Sequence, residues 1–554
     1  MRKTVFLTSV ALLAGMLDSP ACTNLIVTKG ASADGSNMVT YAADSHQLYG
    51  ALKHLPAADY PVGTMMSVYD WDSGKYMGEI PQATHTYNVI GNMNEHQLVI
   101  GETTYGGREF IDSTAVMDYG SLIYIALQRC RTAREAIALI DELVQKYGYA
   151  SEGESFTLAD TEEVWIMEII GKQPKFNKKG VNVNRGAVWV AKRIPDGCIS
   201  GHANQARITA IDFNDPDNCL YAKDVISHAR EIGIFEGKDT EFSFCDVYCP
   251  VDFGTVRGCD ARVWSWFNHC ASGMDVYLNY AMGYDLKGHM PLYIKPDHKI
   301  TVKELADMMR DHYEGTPMDM TTDIGAGGSH SPYRWRPMEF EYEGETYVNE
   351  RAIATQQTGW WYVAQCRPSD AAGGIFWFGV DDAATSPLMP FFAKSDRVPE
   401  CVSEENGSML EYSETSMFWA VNRIAQFAYL RYDRIGAEVR RVIDEYENGL
   451  MAGIADIDRR VSQSSDDQTA YLTSFGADNA NALLSRWKEL DKYLLVKYID
   501  GNIKVQNPDG SFKDNGYDKR IPEYPVQEDY SDKWKENVVR DHGDVLRVPK
   551  QPAL

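Results

Sequence analysis

The stretch Ser19-Pro20-Ala21-Cys22-Thr23-Asn24-Leu25-Ile26-Val27-Thr28 decides how the chain is read. An apolar leader stops at its start, and a β-like run begins at once behind Cys22. Upstream lie two basic residues, Arg2 and Lys3, and a mostly apolar stretch from Val5 to Leu17. Ser19 and Ala21 then occupy the −3 and −1 positions of a small-residue cleavage site. This is the pattern of a secretory signal peptide over residues 1–21. Its apolar part is shorter than the ~20 residues of a membrane-spanning helix, and no charged stop-transfer flank follows. The sequence therefore predicts an exported protein, periplasmic or extracellular, with no transmembrane segment after cleavage and with Cys22 as its mature N-terminus.

A cysteine in that position carries a thiol and a free α-amine on one residue. An α-amino group titrates near ~7.7–8.0, so at neutral pH a useful fraction accepts the thiol proton. Its protonated form in turn lowers the pKa of the neighbouring thiol. Nucleophile and general base then share one residue. Two other uses of Cys22 compete with this one. A bacterial lipoprotein would acylate it as an anchor, but Ser19 stands where a lipid-attachment site usually has leucine, and Pro20 also fits poorly. A disulfide is the second, since secreted cysteines usually pair.

At 554 residues the chain exceeds what one hydrophobic core supports, which predicts a large domain with an added region. The formal charge is −25, and loss of Arg2, Lys3 and Asp18, a net +1, takes it to −26. With no Lys/Arg-rich patch, no nucleic-acid partner is expected. Ten cysteines occur; with Cys22 set aside nine remain, an odd number that cannot all pair internally. The cluster Cys245, Cys249, Cys259 and Cys270 has room for a disulfide whose connectivity is not readable. It contains no Cys-x-x-Cys pair, and His269 beside Cys270 is more often structural, so neither a metal nor a cofactor is expected.

Strand-like runs occupy 25–28, 38–42, 98–103, 155–159, 164–170 and 187–192, with a hairpin loop at 31–35 between the first two. Thr132 and Glu135 form a capping-box pattern for a helix over 132–147, and Thr301 and Glu304 repeat it for one over 301–313. Aromatic-rich strands return at 359–365 and 374–381. Beyond Ser413 the pattern is helical, with long segments at 417–447 and 478–498, the second capped by Asp478. The last stretch, with Pro508, Pro522, Pro525, Pro549 and Pro552, reads as a surface-wrapping or poorly structured tail. The expected organisation is a leader at 1–21, a main domain at 22–400, a helical region at 401–500 and the tail at 501–554, in an α+β layered fold.

Several segments, in order behind Cys22, carry a resemblance. They are Cys22-Thr-Asn-Leu-Ile-Val, Asp34-Gly-Ser36, Asp44-Ser45, Asn94-Glu95 through Gly101-Glu-Thr-Thr104, His202-Ala-Asn-Gln-Ala-Arg-Ile208, Arg262-Val-Trp264, and Gly315-Thr-Pro-Met-Asp319 through Arg334-Trp335. From Cys22 to about residue 500 the chain resembles the bacterial cysteine dipeptidases, relatives of the secernins among the N-terminal-nucleophile hydrolases. The resemblance implies a four-layer αββα sandwich with a helical C-terminal region and dipeptides as substrates. It makes Cys22 the nucleophile and its amine the base. Asp44 becomes the acid that orients that amine, and Asn204 the amide that donates to the tetrahedral intermediate. Arg262 becomes the basic residue lining the cleft, where a guanidinium fork suits a substrate carboxylate. Glu102 and Thr103 fall where related acylases have an asparagine donor. There Thr103 or a nearby backbone N–H is a candidate second oxyanion donor, and Glu102 a candidate partner for the substrate ammonium.

One departure stands out. Related hydrolases commonly place an arginine three residues before the aspartate, and this chain has Tyr41 there, which leaves Arg262 as the candidate to compensate. A papain-like Cys/His pair is disfavoured, because no papain-type signature surrounds Cys22. Three functions remain to be separated. They are a dipeptidase acting through a thioester, an acylase or conjugated-bile-salt type amide hydrolase on the same fold, and a non-catalytic peptide-binding surface lipoprotein acylated at Cys22. Oligomeric state is open, a homo-oligomer included.

Overall fold

The computed structural model of the chain describes residues 21–334, 338–368, 372–463 and 467–550. The leader pattern upstream of Ala21 and Trp335 of the Arg334-Trp335 pair lie outside them. The longer strands of the two large sheets, in chain order, are β1 (Asn24–Val27), β2 (Asn37–Asp44), β3 (Val99–Tyr105), β4 (Gly153–Ala159), β5 (Val164–Gly171), β6 (Ala187–Arg193), β7 (Ile199–His202), β8 (Thr358–Cys366), β9 (Ile375–Val380) and β10 (Met389–Phe392). They form two antiparallel sheets. One has the order Tyr293–Ile294, β7, β1, β2, β8, β9, β10; the other begins Cys219–Tyr221, β6, β5, β4, β3 and continues through three two-residue strands.

The apolar runs explain why the first sheet is covered on both sides. Side chains alternate along a strand. The long helices before residue 300 are α1 (Tyr119–Arg129), α2 (Ala133–Tyr147) and α3 (Ala261–Cys270). Leu25, Val27, Met38, Trp361 and Val363 pack in one core with Trp266 and Phe267 of α3 and Leu305 of the shorter α4 (Val302–Met308). Ile26, Val39, Tyr41 and Tyr362 fall in the other core, with Ile100, Phe156 and Leu158 of the second sheet. The Thr157 hydroxyl donates to Asn24 Oδ1 at 2.9 Å and so ties the two sheets together beside the start of β1. The molecule is thus a mixed α and β fold in which two antiparallel sheets meet face to face.

All eight strands expected from the sequence occur, with ends moved by one or two residues. The loop at 31–35 does join paired strands, with Ile26 opposite Val39. Asp34 holds it by accepting from the Ser36 hydroxyl at 2.6 Å, and Gly35 takes φ +78°. The helix after Thr132 runs Ala133–Tyr147, and the threonine hydroxyl accepts from Glu135 N at 3.2 Å. Glu135 reaches back to Arg131 N instead of the cap's own amide. Thr132→Ala should cost about 1 kcal/mol, the usual value of such a cap, read as a fall of about 1–2 °C in the unfolding midpoint.

Three helix expectations need correction. α4 stops at Met308, because the chain then turns to place Arg310 on the buried Glu447 carboxylate at 2.5 Å, and Tyr313 takes a left-handed φ of +65°. The segment 417–447 is broken: a helix covers Met417–Ala428, Arg431 leaves helical geometry, and a second helix runs Ala437–Gln463. Asp478 lies inside a helix, Gln468–Lys497, whose cap is Asp467, since the intervening residues include no breaker strong enough to start it later. Gly476 of that helix sits so close to β10 that a Cβ there would be 2.9 Å from Pro390 O. Within the C-terminal stretch, Asp532–His542 is helical, capped by Ser531.

Candidate active site

Cys22 sits just ahead of β1, and the bridge between Thr23 and Ala42 extends the β1–β2 pairing back toward it. Its side chain is buried. The thiol lies 3.4 Å from the Tyr41 hydroxyl and 3.7 Å from Glu102 Oε1, and the Tyr41 hydroxyl donates to that same carboxylate oxygen. Among the described residues, no histidine hydrogen-bonds to the thiol. Burial pushes the thiol well above its ordinary pKa, the charges of Glu102 and Asp44 push the same way, and the Tyr41 hydrogen bond offsets part of this. With Ala21 attached, Cys22 is a neutral thiol whose nitrogen is a peptide amide. Tyr41 therefore does not do what an arginine there would do, since it supplies a hydrogen bond and no charge.

Asp44 closes β2 beside the Ala21–Cys22 bond. Its backbone carbonyl accepts from Ala21 N at 2.8 Å. Its carboxylate is buried, accepts from Thr358 Oγ1 at 2.6 Å and pairs with Arg351. Arg351 donates a further hydrogen bond to Ala21 O at 2.6 Å. Burial raises the Asp44 pKa, and Arg351 counters it. Aspartate and arginine thus grip the residue that precedes Cys22. Arg351 escaped the sequence reading because it lies 307 positions from Asp44 along the chain.

The structure changes the use expected of Arg262. It is buried on α3, and each of its five N–H donors has a protein partner: Gly258 O at 3.0 Å, Cys22 O at 2.6 Å, Thr23 Oγ1 at 2.9 Å, Ala203 O at 3.4 Å and Asn204 Oδ1 at 2.9 Å. It lies against Cys22, but its fork is spent on the scaffold and is not presented to a substrate carboxylate. Asn204, in the left-handed region at φ +55°, is oriented between that fork and Thr104 O, to which its amide donates at 2.6 Å.

Adjacent positions of a strand point opposite ways, and this separates Glu102 from Thr103. Glu102 reaches Cys22. The Thr103 hydroxyl instead meets His202 Nδ1 at 2.7 Å, and Thr157 meets the imidazole's Nε2 at 2.8 Å. That side chain is therefore unavailable as an oxyanion donor, and only backbone N–H groups of the stretch remain for the role. Burial and the nearby Arg207 drop the His202 pKa to about 3, so its ring stays neutral. Trp360, edge-on to Tyr41 with ring centroids 5.0 Å apart, also lines a cavity of about 320 Å³ with Trp71, Tyr124, Phe376 and Phe378. All ten cysteines are free thiols. Among the described residues, Cys245, Asp246 and His289 bring metal-ligating atoms within 4.8 Å of one another, apart from the residues just described. Also among the described residues, no helix is long and apolar enough to cross a membrane.

A family model described as peptidase family C69 matches residues 48–445, a span that begins beyond Cys22 and Asp44 and includes Glu102, Asn204 and Arg262. A probable dipeptidase of Latilactobacillus sakei is 25% identical over 486 residues, covering 83% of this chain and 91% of its own length. A probable dipeptidase of Salmonella dublin is 23% identical over 411 residues, 70% of this chain and 84% of that protein. A probable dipeptidase B of Streptococcus pyogenes serotype M3 is 23% identical over 473 residues, 81% and 86% of the two chains.

Proposed function

The chain belongs to peptidase family C69, and from that premise we propose that it is a cysteine-type dipeptidase whose nucleophile is the thiol of Cys22 once the bond after Ala21 has been cut. We read the two facing sheets and their helices as the αββα sandwich of the N-terminal-nucleophile hydrolases, and the leader as a signal for export. The relatives' names support the substrate class.

The observation that carries the reading is the buried Glu102 carboxylate 3.7 Å from Cys22 Sγ. In a dipeptide the α-ammonium nitrogen is about 2.5 Å from the scissile carbonyl carbon. That carbon must come to roughly 3–3.5 Å from the sulfur before attack. A carboxylate beside the sulfur is therefore within reach of a free α-ammonium and of nothing comparable in an N-acylated substrate.

In the proposed reaction the α-amine of mature Cys22, oriented by Asp44, takes the thiol proton. The thiolate attacks the peptide carbonyl, and the oxyanion rests on Asn204 and a backbone N–H near Thr103. The Cys22 ammonium then protonates the leaving amine as the C–N bond breaks. Water hydrolyses the thioester and restores the thiol.

A panel of free, N-acetylated and C-amidated dipeptides tests this. N-acetylation is expected to lower kcat/KM at least ~30-fold, the low end of leaving a buried charge unpaired, and C-amidation to lower it as well. Hydrolysis of N-acyl substrates in preference to free dipeptides would establish the acylase reading instead. No hydrolysis, together with lipid mass on Cys22, would establish the lipoprotein.

A further inference from the structure

Glu102 has an acidic neighbour. β3 and β4 pair with Thr104 opposite Glu154 and Glu102 opposite Phe156, so Glu102 and Glu154 are diagonal neighbours on one face. Both are buried. Glu102 Oε1 is taken by Tyr41 and faces the Cys22 thiol, and Glu154 Oε2 accepts from Thr104 Oγ1 at 3.1 Å. Their other oxygens, Glu102 Oε2 and Glu154 Oε1, meet no donor from any other side chain or from the backbone among the described residues. Glutamate side chains on such diagonal positions are long enough to reach each other, and the charge of Glu102 bears directly on Glu154. Two carboxylates have no hydrogen to share, so a hydrogen bond between them requires one to be an acid.

The titratable groups that bear on the pair are Cys22 ahead of β1, Tyr41 on β2, Asp72, Tyr105 on β3, Tyr119 and Tyr124 on the helix Tyr119–Arg129, Tyr149 and Glu152 ahead of β4, and Tyr362 on β8. None of these is basic. A buried carboxylate normally has a cation or several donors; here the cation is left for a ligand to bring.

We propose that Glu154 is a positioning residue of the ammonium subsite, a carboxylic acid that donates to Glu102 Oε2 so that the pair presents a single negative charge beside Cys22. The inference rests on the dipeptidase reading. Charge arithmetic selects the monoanion. Two negative charges would oppose the thiolate that Cys22 must form 3.7 Å away, and a neutral pair would leave the substrate's α-ammonium without a partner. With one charge, an arriving ammonium cancels what Glu102 imposes on the thiol, so occupancy of the subsite itself eases ionisation of the nucleophile. Burial holds both carboxyls above their ordinary pKa, and the negative charge of Glu102 raises Glu154 further, which makes Glu154 the proton's owner.

The test compares mature wild-type enzyme with Glu154→Gln and Glu154→Leu. Glutamine cannot ionise and keeps a donor. It is expected to leave kcat/KM for a free dipeptide within ~3-fold and its acid limb unmoved. Leucine removes the donor, so the buried Glu102 protonates more readily. Activity requires Glu102 ionised and is lost as pH falls through its pKa, so the acid limb is expected to move up by about one pH unit or more. KM for free dipeptides should also rise about tenfold at neutral pH, while rates on N-acetyl dipeptides change little. Identical acid limbs in all three proteins, or glutamine as damaging as leucine, would overturn the proposal. A second measurement needs no substrate and no leucine variant: carbon NMR of labelled glutamate carboxyls in the wild type is expected to show Glu154 protonated at pH 7. An ionised Glu154 there sinks the inference whatever the enzyme hydrolyses. A wild type that hydrolyses no dipeptide while Glu154 is protonated removes the dipeptidase reading and with it the assigned purpose of the pair.

Discussion

Serine in place of Cys22 is expected to lower kcat/KM for a free dipeptide by about 10⁴–10⁶-fold, the usual penalty for removing a nucleophile, while moving the unfolding midpoint by less than about 2 °C. The two parts of this result have separate causes. A hydroxyl is slightly smaller than a thiol and accepts the same neighbours, since Tyr41 can donate to it and Glu102 can accept from it. An alcohol is, however, a far weaker acid than a thiol and a poorer nucleophile at neutral pH, so the same α-amine, titrating near ~8, activates it much less in a site shaped around sulfur. Steady-state kinetics and a thermal melt on the same preparation check both halves. A loss below about 10²-fold would mean that another group attacks the carbonyl, and Cys22 would revert to a packed core residue.

Keeping Ala21 in front of Cys22 is expected to lower the rate by about 10²–10⁴-fold, the typical worth of a positioned general base. An amide nitrogen has no basicity to offer. The retained residue is also firmly seated, with Ala21 N on Asp44 O and Ala21 O on Arg351, so it does not simply swing aside. Chemistry at the sulfur reports the same change without any substrate. In the extended form the thiol pKa is raised by burial and then by Glu102 and Asp44. Alkylation by iodoacetamide should therefore be slow at pH 7 and rise about tenfold per pH unit through pH 9. In the mature form the adjacent ammonium lowers the thiol pKa, and the rate should be higher at pH 7 and level off sooner. Equal activity in the two forms would reject the mechanism.

How far the chain could be read without coordinates depended on the range of the interaction. Strands such as Val164–Gly171 were legible because each packs β-branched, aromatic or other apolar residues into a short span, and the Thr132 cap because its signal spans only four residues. The motifs that carried the resemblance proved to be largely joinery. Asn94 donates to Leu127 O and Cys130 O at the end of a helix, and the amides of Arg207 and Ile208 fasten to Glu168. Their order along the chain pointed to the right family even though few of them meet the thiol. Arg351 and Glu154 were invisible for the opposite reason. Each acts on a partner distant in sequence, and an isolated arginine or glutamate bears no local mark of burial. Arg262 was placed correctly next to Cys22 but assigned the wrong partner, because a sequence does not show how many of a guanidinium's hydrogens the protein has already claimed.

That same guanidinium has a mechanical meaning. The proposed nucleophile, Cys22, and the proposed amide donor, Asn204, come from segments some 180 residues apart, yet both are gauged against one rigid planar fork, which touches the carbonyl of the first and the side-chain oxygen of the second. Thermal drift of α3 would carry the two together, so the gap in which a carbonyl carbon must be trapped keeps its width while the walls around it breathe.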